Sequence, residues 1–176
     1  METDPRVEAL KSAIRDVPDF PKKGIVFKDI TTLLKDARAF REAMDLFTEL
    51  CRSARPQKIV AIESRGFILG SVLADRLGAG FVPIRKKGKL PAGKIAHTYD
   101  LEYGTDCVEI HEDALRRGER ALVVDDVIAT GGTARAAGQL VRQLGADLAG
   151  YAFLVELTFL KGRDTLEGSI YSLIRY

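Results

Sequence analysis

The chain has 176 residues, of which 27 are basic and 25 acidic, so its formal net charge is only +2. This near balance argues against a protein that coats nucleic acid, because such a protein needs a dominant basic excess to neutralise phosphates. With 46% hydrophobic and 30% charged residues, the composition is typical of a single folded domain and not of a disordered chain.

The first third of the chain predicts two amphipathic helices. The first carries apolar residues at spacings of three and four, namely Val7, Leu10, Ile14 and Val17. Pro18 and Pro21 end it, and residues 19–28 are expected to be irregular. Asp36 is a candidate cap for the second helix. The apolar stripe of that helix consists of Phe40, Met44, Phe47 and Cys51.

The remainder alternates short apolar strands with helices. The predicted strands are 58–62, 81–84, 121–124 and 150–157, and helices are predicted up to Leu77 and over 133–144. Fully apolar strands separated by helices favour a mostly parallel sheet covered on both faces. We therefore predict one α/β domain over residues 1–176.

Residues 88–110 differ from this pattern, because glycine, lysine, threonine, tyrosine and acidic residues replace any long apolar period. We expect a loop there, and a loop of this length inside a compact domain is usually functional or mobile.

Two further patterns bear on the cellular setting. No apolar run approaches the roughly 20 residues of a membrane-spanning helix, and no signal-peptide core is expected near Met1. Cys51 and Cys107 fit no zinc or disulfide pattern. The expectation is a cytoplasmic protein without a membrane or nucleic-acid partner.

A glycine-rich turn follows the predicted strand 121–124, with Ala129 and Thr130 before Gly131, Gly132 and Thr133. Adjacent glycines let successive backbone N–H groups surround an anion, and the following helix adds a favourable dipole. The threonine hydroxyls supply further donors. The pattern lacks the lysine of a Walker A loop and is not a dinucleotide fingerprint, so we predict a phosphate-monoester site.

Two carboxylates, Asp125 and Asp126, lie just before this turn. They suit a pair of sugar hydroxyls and, directly or through water, Mg²⁺. The acid pair and the glycine-rich turn together fit a ribose 5-phosphate. The competing interpretation is an ordinary glycine turn beside a surface acid pair.

The run 123–133 resembles the phosphoribosyl-diphosphate (PRPP) motif of type I phosphoribosyltransferases, in the variant with two aspartates that is typical of adenine phosphoribosyltransferases. Further segments resemble the same family, namely 18–21, 24–31, 63–67, 82–91, 101–104, 109–111 and 155–157. The departures are Lys23, Lys28 and Thr32, of which only Lys28 falls at an expected ligand site.

The resemblance implies the type I phosphoribosyltransferase fold, with an N-terminal hood over residues 1–35 and a mobile catalytic loop over residues 88–110. It implies that adenine and PRPP give AMP and pyrophosphate, with Mg²⁺ as cofactor, in purine salvage. It also implies a homodimer, in which Arg85 acts either in its own site or in that of the neighbouring subunit.

The resemblance further assigns roles to individual residues. PRPP and AMP would be bound by Asp125, Asp126, Ala129, Thr130, Gly131, Gly132 and Thr133. Pyrophosphate would be bound by Arg65, Arg85 and Lys89, with a cis peptide bond in the Glu63-Ser64-Arg65 turn. Adenine would be bound by Val26, Phe27 and Lys28. Glu102 would be the general acid/base at the purine N7, with Tyr103 packing beside it in the closing loop.

Plainer interpretations stay open for several of these residues. Arg65 could be a surface arginine, Phe27 a core residue and Glu102 a solvent-exposed acid. The basic run that starts at Arg85 could be a solvated face or a nucleic-acid patch. Glu156, inside an apolar strand, is expected to pair with a basic neighbour.

Two rival functions remain at this stage. One is a transferase for a 6-oxopurine, although such enzymes typically have aspartate where this chain has Ala129. The other is a non-catalytic, PRPP-sensing regulator, which would usually add a helix-turn-helix or a strongly basic face.

Overall fold

The computed structural model describes residues 4–20, 22–100 and 104–176. They form two compact units, Met1–Phe47 and Thr48–Tyr176. Within these described ranges, no helix combines the length and the apolar character needed to cross a membrane.

The described part of the first unit contains three helices and a β-hairpin. Its elements are α1 (Pro5–Ala13), β1 (Arg15–Pro18), β2 (Val26–Asp29), α2 (Thr31–Lys35) and α3 (Ala37–Cys51), which continues into the second unit. The predicted cap of α3 is confirmed, because Asp36 Oδ1 accepts hydrogen bonds from the backbone N–H groups of Arg38 and Ala39, both at 2.9 Å.

The hairpin corrects two predictions for this unit. Val17 lies in β1 and not in the first helix, which ends at Ala13. Part of the stretch expected to be irregular forms β2, which pairs antiparallel with β1 and places Val17 opposite Phe27. A β-branched residue facing an aromatic one stabilises such a pair, and this cross-strand contact outweighs the helical spacing of Val17.

The second unit is built on a seven-stranded sheet. Its strands are β3 (Lys58–Ile62), β4 (Gly80–Lys86), β5 (Lys94–Asp100), β6 (Thr105–His111), β7 (Arg120–Ile128), β8 (Asp147–Glu156) and β9 (Ile170–Arg175). They lie in the order β5-β6-β4-β3-β7-β8-β9. The five strands from β4 to β9 in this order are parallel, whereas β6 is antiparallel to β4 and β5 is antiparallel to β6. The predicted mostly parallel α/β sheet is confirmed.

Helices α4 (Arg65–Leu77) and α5 (Gly132–Gln143) cover opposite faces of this sheet. On the α4 side, Gly70 lies directly against Ala61 and Ile59 of β3. On the α5 side, Val60 and Ile62 of the same strand belong to the main hydrophobic cluster. Because successive side chains of a strand point to opposite faces, both faces of β3 must be apolar, and it is apolar from Ile59 to Ile62.

Residues 88–110, predicted as a loop, contain most of the β5–β6 hairpin. The strands form because Ile95 and Tyr99 turn inward and join the hydrophobic cluster, whereas Ala96 and Thr98 are exposed. The period-two pattern is short and interrupted by polar residues, so it is weak in the sequence. Strand β9, at the opposite edge of the sheet, was not predicted.

The direction in which successive strands are added to the sheet reverses between β3 and β7. From β3 the chain continues to β4 on one side, and it returns to place β7 and then β8 on the other side. In open α/β sheets, ligands bind beyond the carboxyl ends of the strands at such a reversal. The functional site is therefore expected after Ile62 and around the end of β7.

Candidate functional site

The glycine-rich turn joins β7 to α5 and lines an open pocket. The pocket has a volume of about 90 Å³ and is bordered by Asp125, Val127, Ile128, Ala129, Thr130, Gly131, Gly132, Thr133 and Ala134. Gly131 adopts a φ of +83° immediately before the first turn of α5. The first backbone N–H groups of a helix have no acceptor within the helix, so this pocket is suited to an anion.

A second segment supports this turn from behind. A Cβ atom on Gly131 would lie 2.3 Å from Thr165 Oγ1 and 2.6 Å from the carbonyl oxygen of Gly162. A Cβ atom on Gly162 would lie only 2.1 Å from the carbonyl oxygen of Ala129. Both positions therefore require glycine for close packing, which the sequence predicted only for the turn itself.

An ion pair anchors the supporting segment, which is a short 3₁₀ helix over Gly162–Thr165. Arg163 donates to both carboxylate oxygens of the buried Glu156, at 2.9 and 2.6 Å. Arg175 adds a second cation at 3.4 Å. The prediction that Glu156 pairs with a basic neighbour is confirmed.

The two acids lie within β7 and not after it, which corrects the predicted strand end. β3 stops pairing at Val124, but β8 continues as far as Ile128, so the acids occupy a strand extension that is paired on one side only. The backbone N–H of Asp126 donates to Asp125 Oδ1 at 2.8 Å. Burial, together with the adjacent Asp126 carboxylate, raises the pKa of Asp125 well above its usual value.

Arg65 connects the two strand ends at the reversal. Its Nε donates to Asp126 Oδ2 at 2.5 Å, although Arg65 begins α4 after β3 and Asp126 belongs to β7. Asp126 is only 6% exposed, whereas the Arg65 side chain is 39% exposed. A cation that remains open to solvent beside a buried carboxylate is placed to receive a further anion.

The Glu63-Ser64-Arg65 turn contains the cis peptide bond implied by the resemblance, between Glu63 and Ser64. Arg85, at the end of β4, donates from Nε to Glu63 Oε2 at 2.5 Å and lies over the Phe67 ring. Burial opposes ionisation of Glu63, but the Arg85 guanidinium holds the pKa of that carboxyl below its usual value. Lys89 is exposed in the turn that follows β4.

A polar cluster on the β5–β6 hairpin reaches the same turn and was not predicted. The Tyr99 hydroxyl lies 2.9 Å from Thr133 Oγ1 and 3.0 Å from Asp106 Oδ2, and it can donate its one hydrogen to either oxygen. Lys86 forms an ion pair with Asp106 and lies 3.3 Å from the Tyr99 hydroxyl. In the sequence, Lys86 is only one member of the basic run that starts at Arg85. The alternation of residues around Tyr99 is the one signal that indicates that Tyr99 points inward.

The three residues expected to bind adenine lie in β2 of the first unit. Val26 is 44% exposed, and Phe27 packs edge-to-face on Phe20 with ring centroids 5.3 Å apart. Lys28 Nζ donates to Asp16 Oδ1 at 2.6 Å across the hairpin. The Lys28 side chain is thus engaged within its own unit. Glu102 and Tyr103 lie outside the described residues.

Comparison with known proteins identifies the family. The phosphoribosyl transferase domain model matches residues 29–171. The adenine phosphoribosyltransferase of Nostoc punctiforme is 56% identical over 95% of this chain and 99% of its own length.

Two solved structures agree. Adenine phosphoribosyltransferase from Thermoanaerobacter pseudethanolicus superposes with a TM-score of 0.94 at 51% identity and covers 97% of this chain and 99% of its own. The enzyme from Saccharomyces cerevisiae, solved with adenine and an iminoaltritol bisphosphate, gives a TM-score of 0.93 at 43% identity with the same coverage. The chain described here belongs to the adenine phosphoribosyltransferase family.

Proposed function

We propose that this protein transfers the 5-phosphoribosyl group of PRPP to N9 of adenine, giving AMP and pyrophosphate. The observation that carries the proposal is the anion pocket at the β3/β7 reversal, where an acid pair and a glycine turn lie beside the partly exposed Arg65. PRPP consists of a phosphate, a sugar and a second anionic group. The glycine turn suits the phosphate, the acid pair suits the sugar, and Arg65 suits the second anionic group.

The glycine turn holds the 5-phosphate in this proposal. The backbone N–H groups of residues 130–133 and the hydroxyls of Thr130 and Thr133 bind its oxygens, while Ala129 borders the same pocket. Asp125 and Asp126 accept hydrogen bonds from the two ribose hydroxyls. Holding both ends of the sugar fixes C1 relative to its reaction partners, which lowers the entropic part of the barrier.

Pyrophosphate is bound by Arg65, Arg85 and Lys89. Each arginine already holds an acid of its own chain, Asp126 and Glu63 respectively, so both guanidinium groups are oriented before substrate arrives. Negative charge develops on pyrophosphate as it leaves, so the two guanidinium groups bind it more strongly in the transition state than in the ground state. Such a difference lowers the barrier to reaction.

Bond exchange at C1 then needs little covalent help from the protein. The bond from C1 to pyrophosphate oxygen breaks as N9 of adenine forms the new bond, with oxocarbenium-like charge on the ribose. Glu102 accepts the proton from N7 as general base, and Tyr103 covers the site. Exclusion of water by this segment protects the activated sugar from hydrolysis.

Adenine is read by Val26, Phe27 and Lys28. The Phe27 ring stacks on the base, and backbone groups of Val26 and Lys28 pair with its edge. The Lys28 ammonium is already bonded to Asp16. If the contact with adenine at position 28 is made by the main chain, lysine can replace the arginine that is frequent at this position in the family.

Mg²⁺ is the proposed cofactor, and Asp125 and Asp126 are the residues that would hold it. No group of three or more His, Cys, Asp or Glu side chains suited to a metal occurs among the residues described. Two adjacent carboxylates fit a cation that keeps several waters and takes its other ligands from substrate phosphates. When bound, Mg²⁺ supplies positive charge that favours departure of pyrophosphate.

A homodimer in the cytoplasm completes the proposal. Both cysteines are free, with Cys51 buried, which suits a reducing compartment. Sedimentation equilibrium of the purified chain tests the dimer, and a mass of one chain at assay concentration would contradict it.

The proposed reaction is tested by offering adenine, hypoxanthine, guanine and xanthine separately with Mg²⁺ and PRPP and identifying the nucleotide formed. AMP from adenine alone is the expected result. Turnover of a 6-oxopurine would overturn the base assignment but leave the PRPP site in place. PRPP binding without any product would instead indicate a regulator.

A further inference from the structure

The buried tyrosine on the β5–β6 hairpin has a polar environment that the reaction as proposed does not use. Tyr99 is 5% exposed, and its ring belongs to the main hydrophobic cluster of the second unit. Its hydroxyl nevertheless meets polar groups from three other elements, namely Lys86 on β4, Asp106 on β6 and Thr133 on α5. A buried hydroxyl with polar neighbours on several sides has its oxygen held in place.

The contact with Thr133 connects this cluster to the pocket of the glycine turn. Thr133 borders the pocket of the glycine turn, and its Oγ1 lies 2.9 Å from the Tyr99 hydroxyl. A threonine hydroxyl carries one hydrogen and accepts with its lone pairs. When Tyr99 donates to this oxygen, the one hydrogen of Thr133 remains available to the pocket.

The other members of the cluster fix Tyr99 in turn. The pKa of Tyr99 is raised, chiefly by burial, so the phenol keeps its hydrogen. Burial opposes ionisation of Asp106, but the hydrogen bond from Lys86 outweighs it and lowers the pKa of that carboxyl, which stays a charged acceptor. Asp106 also accepts from Lys86 and from the backbone N–H of Cys107. Its carboxylate therefore keeps donors when Tyr99 gives its hydrogen to Thr133.

We propose that the Tyr99 hydroxyl, held by Asp106 and Lys86, is a positioning group that orients the Thr133 hydroxyl for the phosphate end of the substrate. The inference rests on the proposed function, because it deepens the 5-phosphate site of that reaction. Orientation of a group that binds the phosphate equally before and during bond exchange changes the KM for PRPP and leaves kcat unchanged.

The chain offers a closely matched pair of variants for the test. Tyr99→Phe removes one hydroxyl and keeps the ring in the cluster. Tyr151→Phe removes the hydroxyl of another buried tyrosine of the same cluster, which has no hydrogen-bond partner among the described residues. Any effect of merely losing a buried phenol oxygen should appear in both variants.

Calorimetric titration with ribose 5-phosphate is the primary measurement, because this probe carries the phosphate end without pyrophosphate. Tyr99→Phe is expected to weaken its binding about 5–10-fold, the worth of one neutral hydrogen bond. The KM for PRPP should rise by the same factor, with kcat and the KM for adenine unchanged. Tyr151→Phe should behave as the wild type does.

A double-mutant cycle with Thr133→Val separates an action through Thr133 from any other route. In the Thr133→Val background, Tyr99→Phe is expected to have no further effect on ribose 5-phosphate binding. Equal binding by wild type and Tyr99→Phe would overturn the inference, as would an undiminished effect of Tyr99→Phe in the Thr133→Val background. Failure of the wild type itself to bind ribose 5-phosphate would instead overturn the proposed function.

Discussion

The glycine turn and the β5–β6 hairpin contribute to one site by different physical means. In the turn, the chemistry is local, because consecutive residues supply the acids, the glycines and the helix start. In the hairpin, Tyr99 and Asp106 belong to different strands, and they approach Thr133 only because β5 pairs with β6 and α5 packs against both.

The phosphate-binding turn can be encoded by a short sequence motif, whereas the approach of Tyr99 and Asp106 to Thr133 requires the whole sheet. A turn of fixed φ and close packing binds an anion through its backbone, so its residue types are restricted and recognisable. Side chains that orient such a turn from outside need only the right position in the tertiary structure.

Glu102→Ala is expected to lower kcat by about 10²–10⁴-fold, the usual contribution of a positioned acid or base. PRPP binding should persist, because the 5-phosphate and pyrophosphate contacts are made by other residues. Steady-state kinetics with calorimetry of PRPP binding provide the measurement. Asp113→Ala, an exposed acid just after β6, is the control, and a kcat near that of the wild type in Glu102→Ala would remove Glu102 from this role.

Gly131→Ala is expected to weaken PRPP binding by about 100-fold, because displacement of a binding group by about 1 Å has effects of this size. The added methyl group would meet both Thr165 and Gly162, and the φ of +83° is unfavourable for alanine. Gly118→Ala is the matched control, since Gly118 has a φ of +77° and nothing within 4 Å of its added Cβ.

Calorimetry of both glycine variants, with circular dichroism to confirm folding, separates local backbone strain from blockage of the turn. Unchanged PRPP affinity in Gly131→Ala would contradict the assignment of the phosphate site. An equal loss in Gly118→Ala would show that strain alone accounts for the effect.

Asp125→Asn is expected to raise the melting temperature when Mg²⁺ and PRPP are absent. Asparagine keeps an oxygen for the Asp126 N–H but removes a charge that burial and Asp126 disfavour. In a chain of this length, each kcal/mol gained corresponds to about 2–4 °C. Asp126→Asn is the contrasting variant, and it should lower the melting temperature because Arg65 loses its carboxylate partner.

The pH dependence of the Asp125→Asn effect has a definite sign. A carboxyl whose pKa is raised by folding does not affect stability while it is protonated in both states, below about pH 4. Its cost grows as the pH rises towards the folded pKa. Calorimetric melting should therefore show a smaller gain for Asp125→Asn at pH 5 than at pH 7.5, and a loss of stability at pH 7.5 would refute this electrostatic account.

Local features of the structure were predicted from the sequence, whereas features that depend on pairing between distant strands were missed. The α/β sheet, the cap at Asp36 and the turn through Gly131 were all predicted, because each depends on neighbouring residues. Strand β9 was missed, and the hairpin was expected to be a loop. The roles of Tyr99 and Asp106 were missed with it, since their meeting depends on pairing between strands.

The proposed orientation of PRPP is tested most directly by comparing how the Arg65→Gln variant binds PRPP and ribose 5-phosphate. The glycine turn is proposed to hold the 5-phosphate and Arg65 the pyrophosphate, so titration should show PRPP binding weakened about 10–100-fold, as expected for charge-assisted hydrogen bonds. Ribose 5-phosphate, which has no pyrophosphate, should lose much less affinity than PRPP does, because only the ribose contact of Asp126 is affected when its pair with Arg65 is lost. Equal weakening of both ligands would contradict the proposed orientation of PRPP across the strand reversal.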